Sequence, residues 1–354
     1  GVQTCALPIL VLITTKRGVG GELKVNYDAH YGTQSVAKKL DVMTAVEYQD
    51  VLNALYDAGA VNASVGERVD EIQGNGTNWQ DEVFRNAPVQ NHNLSLSGGD
   101  VNTRYFASFN YYDQEGVVIS SAIKRYTARF NLDQTIEDRL NFGINLNTSY
   151  VKDDFVANGV VPNEASGAIS SAIDFDPTLP VKDENGDYAL SPFITKDNPL
   201  AIAYGKDARN KEFRTFGTVY GEYFIIPELS VKLNLGGDVA SSRRDVFVDS
   251  RTKAGRDNDG IGTVINGFRY NYLAEATVHF DKAFDWGDNI SVVAGATRQE
   301  FFVERFNANA SGFISEETGT NSLQSGTQST YGINTSSLPH SLVSFLGRLN
   351  YSWQ

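Results

Sequence analysis

The chain has 354 residues with 30 basic and 43 acidic side chains, which gives a formal charge of −13. This acidic balance argues against nucleic-acid binding, which needs a clustered basic surface. A hydrophobic content of 41% with 11% aromatic residues excludes a disordered chain. One Cys and four His exclude a disulfide scaffold and leave few ligands for zinc.

The first apolar run covers residues 5–13 (CALPILVLI). No basic residues precede it and no small-residue cleavage site follows it, so it does not match a signal peptide. A buried strand over residues 10–15 fits the composition better. Residues 1–9 match no downstream pattern, and we interpret them as a possible foreign lead-in.

From residue 22 onward, apolar and polar residues alternate over runs of ten to fifteen positions, which predicts β-strands. In the clearest run, Leu140, Phe142, Ile144, Leu146, Thr148 and Tyr150 oppose Asn141, Gly143, Asn145, Asn147 and Ser149. Ten steps of about 3.4 Å, tilted by about 40°, rise roughly 26 Å, which matches the apolar band of a membrane barrel. The apolar set is therefore predicted to face lipid and the polar set a wet lumen.

The sequence predicts ten strands, at residues 22–32, 90–98, 102–113, 122–134, 138–152, 211–226, 229–248, 263–281, 288–307 and 340–353. Short connections alternate with long ones, and the long ones are 33–89, 114–121, 153–210, 249–262 and 308–339. A capping box of Thr44 and Glu47 predicts a helix to about residue 58, and residues 79–85 suggest one more helical turn. We predict an all-β antiparallel meander that forms part of a large transmembrane β-barrel, with short helices in long extracellular connections.

Several blocks resemble one known family. Residues 10–18 (LVLITTKRG) resemble the end of the plug domain in SusC/RagA-type TonB-dependent outer-membrane transporters. Residues 77–85 (TNWQDEVFR) and 87–99 (APVQNHNLSLSGG) are similar to that family's most recognisable stretch, and residues 124–132 (KRYTARFNL) continue the match in order.

The resemblance divides the chain into the possible lead-in 1–9, the end of the plug at 10–21 and the first part of the barrel at 22–354. It implies a fragment that lacks most of the plug, the TonB box and the strands after the tenth of an expected 22. It also implies import of an oligosaccharide or a peptide across the outer membrane of a Bacteroidetes-like Gram-negative bacterium. A SusD-like surface lipoprotein and the TonB complex are the implied partners, and no nucleic acid or cofactor is implied.

No arrangement of residues gives strong support to catalysis or to a metal site. Asp174 and Asp176 are spaced like paired carboxylates in an extended segment, but acids beside a proline are ordinary in loops. Residues 257–260 (DNDG) and 183–187 (DENGD) resemble the start of calcium loops without the glutamate at the twelfth position. Both are also ordinary turn sequences, so no catalytic and no metal-binding residue is assigned.

Candidate residues for a substrate path lie on the polar parity and in the long connections. Arg125, Arg129, Asn145 and Asn147 are predicted to line a lumen or to contact the plug. Tyr188, Phe193 and Tyr204 are predicted to stack on sugar rings or to pack within their own loops. Tyr111, Tyr126 and Tyr150 are predicted to mark the outer aromatic rim of the barrel.

Two other classes of function remain open from the sequence. One is a soluble secreted all-β carbohydrate-binding or adhesin module, and the other is an outer-membrane barrel enzyme such as a lipase or a protease. If the barrel prediction holds, ten strands do not close, and the first and tenth strands keep free edges.

Overall fold

The structure is a computed structural model that describes residues 21–60, 69, 72, 76–156, 167–191 and 196–353. The predicted lead-in 1–9, the predicted strand 10–15 and Phe193 lie outside the described residues. The proposed division between plug and barrel therefore stays a prediction.

In the part of the chain that the structure describes, ten strands form one antiparallel sheet, which confirms the predicted fold class. Their bounds are β1 Gly21–Gln34, β2 Ala87–Gly99, β3 Thr103–Glu115, β4 Ala122–Ile136, β5 Leu140–Asp154, β6 Lys206–Ile226, β7 Leu229–Val248, β8 Ile261–Ala283, β9 Asn289–Ser311 and β10 Gly332–Ser352. Each strand pairs with its neighbours in sequence, in the order β1 to β10. Within the described residues β1 pairs only with β2 and β10 only with β9, so the sheet is open.

The largest differences between the predicted and the observed start of a strand are in β6 and β10. β6 begins at Lys206 instead of residue 211, and β10 begins at Gly332 instead of residue 340. The added part of β10 contains Thr335, Ser336 and Pro339, which interrupt the alternation of apolar and polar residues that predicts a strand. Backbone pairing with β9 extends the strand there despite its polar side chains.

Short turns lie at one end of the sheet and long connections at the other. In the β4–β5 turn, Glu137 and Asp138 have φ of 49° and 50°, which matches the twist of a tight hairpin. In the β2–β3 turn, the Asp100 carboxylate accepts hydrogen bonds from the backbone N–H groups of Asn102 and Thr103, which lowers its pKa. Both turns therefore have local interactions that fix where the strands reverse.

The helices that the structure describes lie in the long connections: α1 Ala45–Asp57, α2 Trp79–Val83, α3 Ala168–Asp174, α4 Pro199–Gly205 and α5 Lys253–Asp257, with 3₁₀ turns at Gly319–Ser325 and Gln328–Thr330. The predicted capping box is present, because the Thr44 side chain accepts from the Glu47 N–H while the Glu47 carboxylate accepts from the Thr44 N–H. The sequence did not predict α3, α4 and α5, which are too short to show a helical period. None of the helices that the structure describes has the length and apolarity needed to cross a membrane.

The pairing register separates two faces of the sheet. One row joins Phe130 to Leu146, and another joins Leu132, Ile144, Val219 and Leu235 across four strands. We call this side the apolar face; many of its side chains are exposed to about half, with Val219 48% and Leu235 45% exposed. The residues between them form the polar face, where Arg129 lies opposite Asn147.

The long connections pack into small apolar cores beside the sheet. The larger core contains Trp79, Val83, Val156, Ala168, Ala172, Phe175, Leu200, Ile202 and Ala203. Its residues come from the β1–β2 and β5–β6 connections, so segments far apart in sequence are held together. A second core joins Phe247, Ala310 and Phe313, with Leu323 packed against them.

Candidate functional site

The polar face brings the four predicted lumen residues to one side of the sheet. Arg129 is opposite Asn147, and Asn145 is opposite Asn131. The Asn145 side-chain amide donates to the Thr218 hydroxyl at 3.2 Å. Two amides and a guanidinium on adjacent strands therefore present hydrogen-bonding groups to the same space.

Arg125 occupies the same face nearer the long connections. Its guanidinium carbon lies 5.1 Å from the centre of the Tyr112 ring on β3. Such a contact holds the cation by cation–π attraction while leaving the N–H groups free to bind other acceptors. Arg125 is thus positioned by an aromatic neighbour.

Two ion pairs form a charged group in the middle of the polar face. Arg214 on β6 donates to Asp238 on β7 through both Nε, at 2.9 Å, and Nη2, at 2.6 Å. Arg269 on β8 lies 3.7 Å from Glu212 on β6. We call these four residues the charged quartet; it is neutral overall and remains partly exposed, with 29–49% of each side chain accessible. Solvent-exposed ion pairs contribute little to the stability of a fold. The charged quartet is therefore more important as a polar surface than as a source of stability.

A hollow of about 430 Å³ lies on the polar face at the short-turn end. The Tyr220 ring crosses Gly143, and its hydroxyl donates to the Asp133 carboxylate at 2.8 Å. A Cβ at position 143 would lie 2.4 Å from the ring, so only glycine permits this crossing. The Lys232 ammonium lies 5.3 Å from the ring centre. The contacts of Tyr220 with Asp133 and Lys232 therefore hold aromatic and polar groups in place along this hollow.

The larger connection core has polar side chains at its centre. The Trp79 indole N–H donates to the Asp176 carbonyl at 2.9 Å, and the Trp79 and Phe175 rings meet edge to face at 5.0 Å. The Asp176 carboxylate is buried and accepts from the backbone N–H and the hydroxyl of Thr178. This core fixes two long connections relative to each other.

The two described aromatic candidates differ in their surroundings. Tyr188 packs against the larger connection core, and burial raises the pKa of its hydroxyl. The Lys182 ammonium lies 5.4 Å from the Tyr188 ring centre. Tyr204, in α4, leaves 44% of its surface exposed. Tyr188 therefore packs within the connections, whereas Tyr204 keeps an accessible ring.

The acidic residues considered from the sequence do not come together in one catalytic or metal-binding site. Asp174 forms an ion pair with Lys196, while Asp176 is buried in the core. Asp183 accepts from the backbone N–H groups of Asn185 and Asp187, as in an ordinary turn. Among the described residues, no group of three His, Cys, Asp or Glu side chains is arranged to hold a metal ion.

The sequence analysis missed the charged quartet and the Tyr220–Asp133 contact. Alternation within β6 and β7 indicates which residues share a face, so it could have placed Arg214 and Asp238 on the polar side. Their pairing depends on register, and the register shifts between Phe224 and Ile226. A bulge of this kind moves every later partner by one position and has no clear sequence signal here.

Comparison with known proteins supports the family resemblance. The chain is 28% identical over 353 residues to the TonB-dependent receptor P3 of Formosa agariphila, which covers 97% of this chain and 33% of that receptor. It is 27% identical over 370 residues to the TonB-dependent receptor SusC of Bacteroides thetaiotaomicron, with 97% and 34% covered. No protein-family model matches the chain.

Solved structures show the same fold. The RagAB peptide importer in its open-open state superposes with a TM-score of 0.78 at 20% identity, covering 96% of this chain and 41% of that one. Its closed-closed state gives a TM-score of 0.76. The predicted resemblance to SusC/RagA-type TonB-dependent receptors is therefore confirmed, and this chain spans about a third of the length of the curated relatives it matches.

Proposed function

We propose that this chain, with its resemblance to SusC/RagA-type TonB-dependent receptors, forms part of a barrel that imports a nutrient across a bacterial outer membrane. The observation that carries the proposal is the separation of the sheet's two faces. The apolar face of β5 has no charged side chain from Leu140 to Tyr150, over the roughly 26 Å that an apolar membrane band requires. The opposite face has amides, hydroxyls and charged pairs.

The polar face provides the contacts that a hydrophilic solute needs in a wet passage. Asn145, Asn147 and Thr218 offer donors and acceptors without net charge, and the charged quartet is neutral overall. Groups of this kind exchange hydrogen bonds with hydroxyls or peptide groups and do not trap one sign of charge. An oligosaccharide is the proposed substrate class, with a peptide as the alternative.

The long connections would hold the substrate at the outer surface. Their apolar cores give a fixed platform on which exposed rings such as Tyr204 can stack against sugar faces. A SusD-like lipoprotein is the proposed partner on this side. The TonB complex would supply the energy for release by acting on the plug, and no catalytic step is proposed.

The test is uptake of labelled oligosaccharides and peptides by cells that carry the full-length receptor, with and without active TonB. We expect uptake of one class, dependent on TonB. Variants Arg214→Ala and Asp238→Ala should reduce uptake while the receptor still reaches the outer membrane. TonB-independent accumulation, or no accumulation of any solute by a correctly inserted receptor, would refute the proposal.

The competing classes give different results in two further measurements. A soluble carbohydrate-binding or adhesin module would stay in solution without detergent, whereas the barrel requires detergent. A barrel lipase or protease would hydrolyse ester or peptide substrates when purified, whereas the importer releases the solute intact.

A further inference from the structure

Four neighbouring strands each place a basic residue in one row on the apolar face. Lys124 on β4 is opposite Lys152 on β5, Lys152 is opposite Lys211 on β6, and Lys211 is opposite Arg243 on β7. Neighbouring strands lie about 4.8 Å apart, so these four residues, which we call the basic row, cover roughly 14 Å. Such a concentration of positive charge is unexpected in a chain with a formal charge of −13.

Only the ends of the basic row have acidic partners. Lys124 lies 3.3 Å from Asp113, and Arg243 lies 2.9 Å from Asp245. Lys152 and Lys211, in the middle, form no ion pair or side-chain hydrogen bond with any residue that the structure describes. Like charges directly opposite each other on paired strands destabilise a sheet, so the middle of the row favours binding of an anion.

The row lies immediately beyond a band of aromatic rings. Tyr126 and Tyr150 occupy the preceding row, with ring centres 6.4 Å apart, and Tyr111 continues the band 5.2 Å from Tyr126. Aromatic rings of this kind are enriched where lipid meets water. The basic residues are 12 to 15 positions from the short-turn ends of their strands, or roughly 31–39 Å after tilt. They therefore lie at headgroup depth and not in the apolar band.

A hollow of about 450 Å³ on this side adds a second, independent observation. Lys211 and Arg243 line it together with Tyr150, Phe213, Phe268 and Phe306, and Glu304 also lines it. A hollow lined by both cations and rings suits an amphiphile, because phosphate binds the cations and acyl chains contact the rings. A free phosphate ion would use only the cations.

We propose that the basic row and this hollow bind the phosphorylated headgroup of an anionic lipid in the outer leaflet of the membrane. Lys152 and Lys211 would contact the phosphate as mobile ammonium groups, while Arg243 would donate two hydrogen bonds in a fixed fork. The inference rests on the proposed outer-membrane location, which puts the apolar face against lipid. It adds a lipid site outside the substrate path.

The experiment uses the full-length receptor in phosphatidylcholine nanodiscs titrated with diphosphorylated lipid A, phosphatidylethanolamine or inorganic phosphate. The double variant Lys152→Gln, Lys211→Gln should weaken lipid A binding about thirtyfold, since each surface cation contributes roughly fivefold. The matched control Lys282→Gln removes a lysine from the same face at the short-turn end and should leave binding unchanged. Phosphatidylethanolamine should bind weakly, and inorganic phosphate at millimolar concentration should not displace lipid A.

Three outcomes would overturn the inference: equal lipid A binding by the double variant and the wild type, an equal loss in Lys282→Gln, or displacement of lipid A by inorganic phosphate at millimolar concentration. The last would identify an anion site without lipid selectivity. Failure of the receptor to insert into a membrane would instead refute the proposed function. A receptor that inserts and imports its substrate but binds lipid A independently of Lys152 and Lys211 refutes only the lipid site.

Discussion

At the scale of single residues, neighbours on one strand differ sharply in what they tolerate. Ile144 lies on the apolar face and Asn145 on the polar face. For the proposed membrane barrel, an Ile144→Arg substitution should destabilise the full-length protein by about 2–4 kcal/mol, because it would place a charge near the bilayer midplane. Asn145→Arg is the matched control and should change stability little. Urea unfolding in lipid vesicles measures both, and equal costs would contradict the assigned faces.

A second prediction at this scale concerns Gly143, which the Tyr220 ring crosses at close range. A methyl group there would come within 2.4 Å of the Tyr220 ring, so Gly143→Ala should cost about 1–3 kcal/mol as the ring is displaced from Asp133. Gly221→Ala is the control on the next strand, because its added Cβ would meet no atom within 4 Å. In the same unfolding assay, the double variant Gly143→Ala, Tyr220→Ala should lose less than the sum of the single changes. Strict additivity would show that the ring does not cause the cost.

At the scale of elements, the capping box determines where α1 begins. Thr44→Ala should cost the helix about 1 kcal/mol, because one N-terminal N–H loses its acceptor. Hydrogen exchange of the Glu47 and Tyr48 amides should then accelerate about fivefold. The control Thr33→Ala lies in β1, outside the box, and should leave both rates unchanged. Unaltered exchange in Thr44→Ala would show that packing alone holds the helix start.

The same box predicts a pH dependence. Hydrogen bonds from the backbone and the side chain of Thr44 lower the pKa of Glu47. Because the pKa of Glu47 is lower in the folded state, its carboxylate stabilises the start of α1. This stabilisation is complete above the unfolded pKa of about 4.3 and is lost as pH falls through the folded pKa. Protection of the α1 amides should therefore decrease in acid in the wild type and change less in Glu47→Gln.

Sequence alone predicted the strands better than the connections, for a physical reason. The alternation of apolar and polar residues is a local property of one strand. The sequence from Leu140 to Tyr150 therefore predicts a strand and its two faces without reference to the strands that pair with it. The larger connection core depends on contacts such as Trp79 with Asp176, which are 97 positions apart. No local pattern encodes such a contact. The positions of Arg125, Arg129, Asn145 and Asn147 follow from parity, whereas the pairs within the charged quartet require the register.

At the scale of the whole molecule, the open sheet has consequences for the isolated chain. β1 and β10 each have one edge without a pairing partner in the described chain, which leaves rows of N–H and C=O groups exposed. Exposed strand edges pair with other chains in water, and lipid does not tolerate them. The 354-residue chain in detergent should therefore form assemblies through these edges. Light scattering after size exclusion measures their mass.

Hydrogen exchange on the same sample separates edge pairing from general aggregation. In dilute, monomeric fractions, amides of β1 and β10 that point to the free edge should exchange quickly, while those of β5 and β6 should be protected by partners on both sides. Concentrating the sample should protect β1 and β10 selectively, because assembly satisfies their free groups. A stable monomer with fully protected β1 and β10 would show that the two strands pair with each other and that ten strands close into a small barrel.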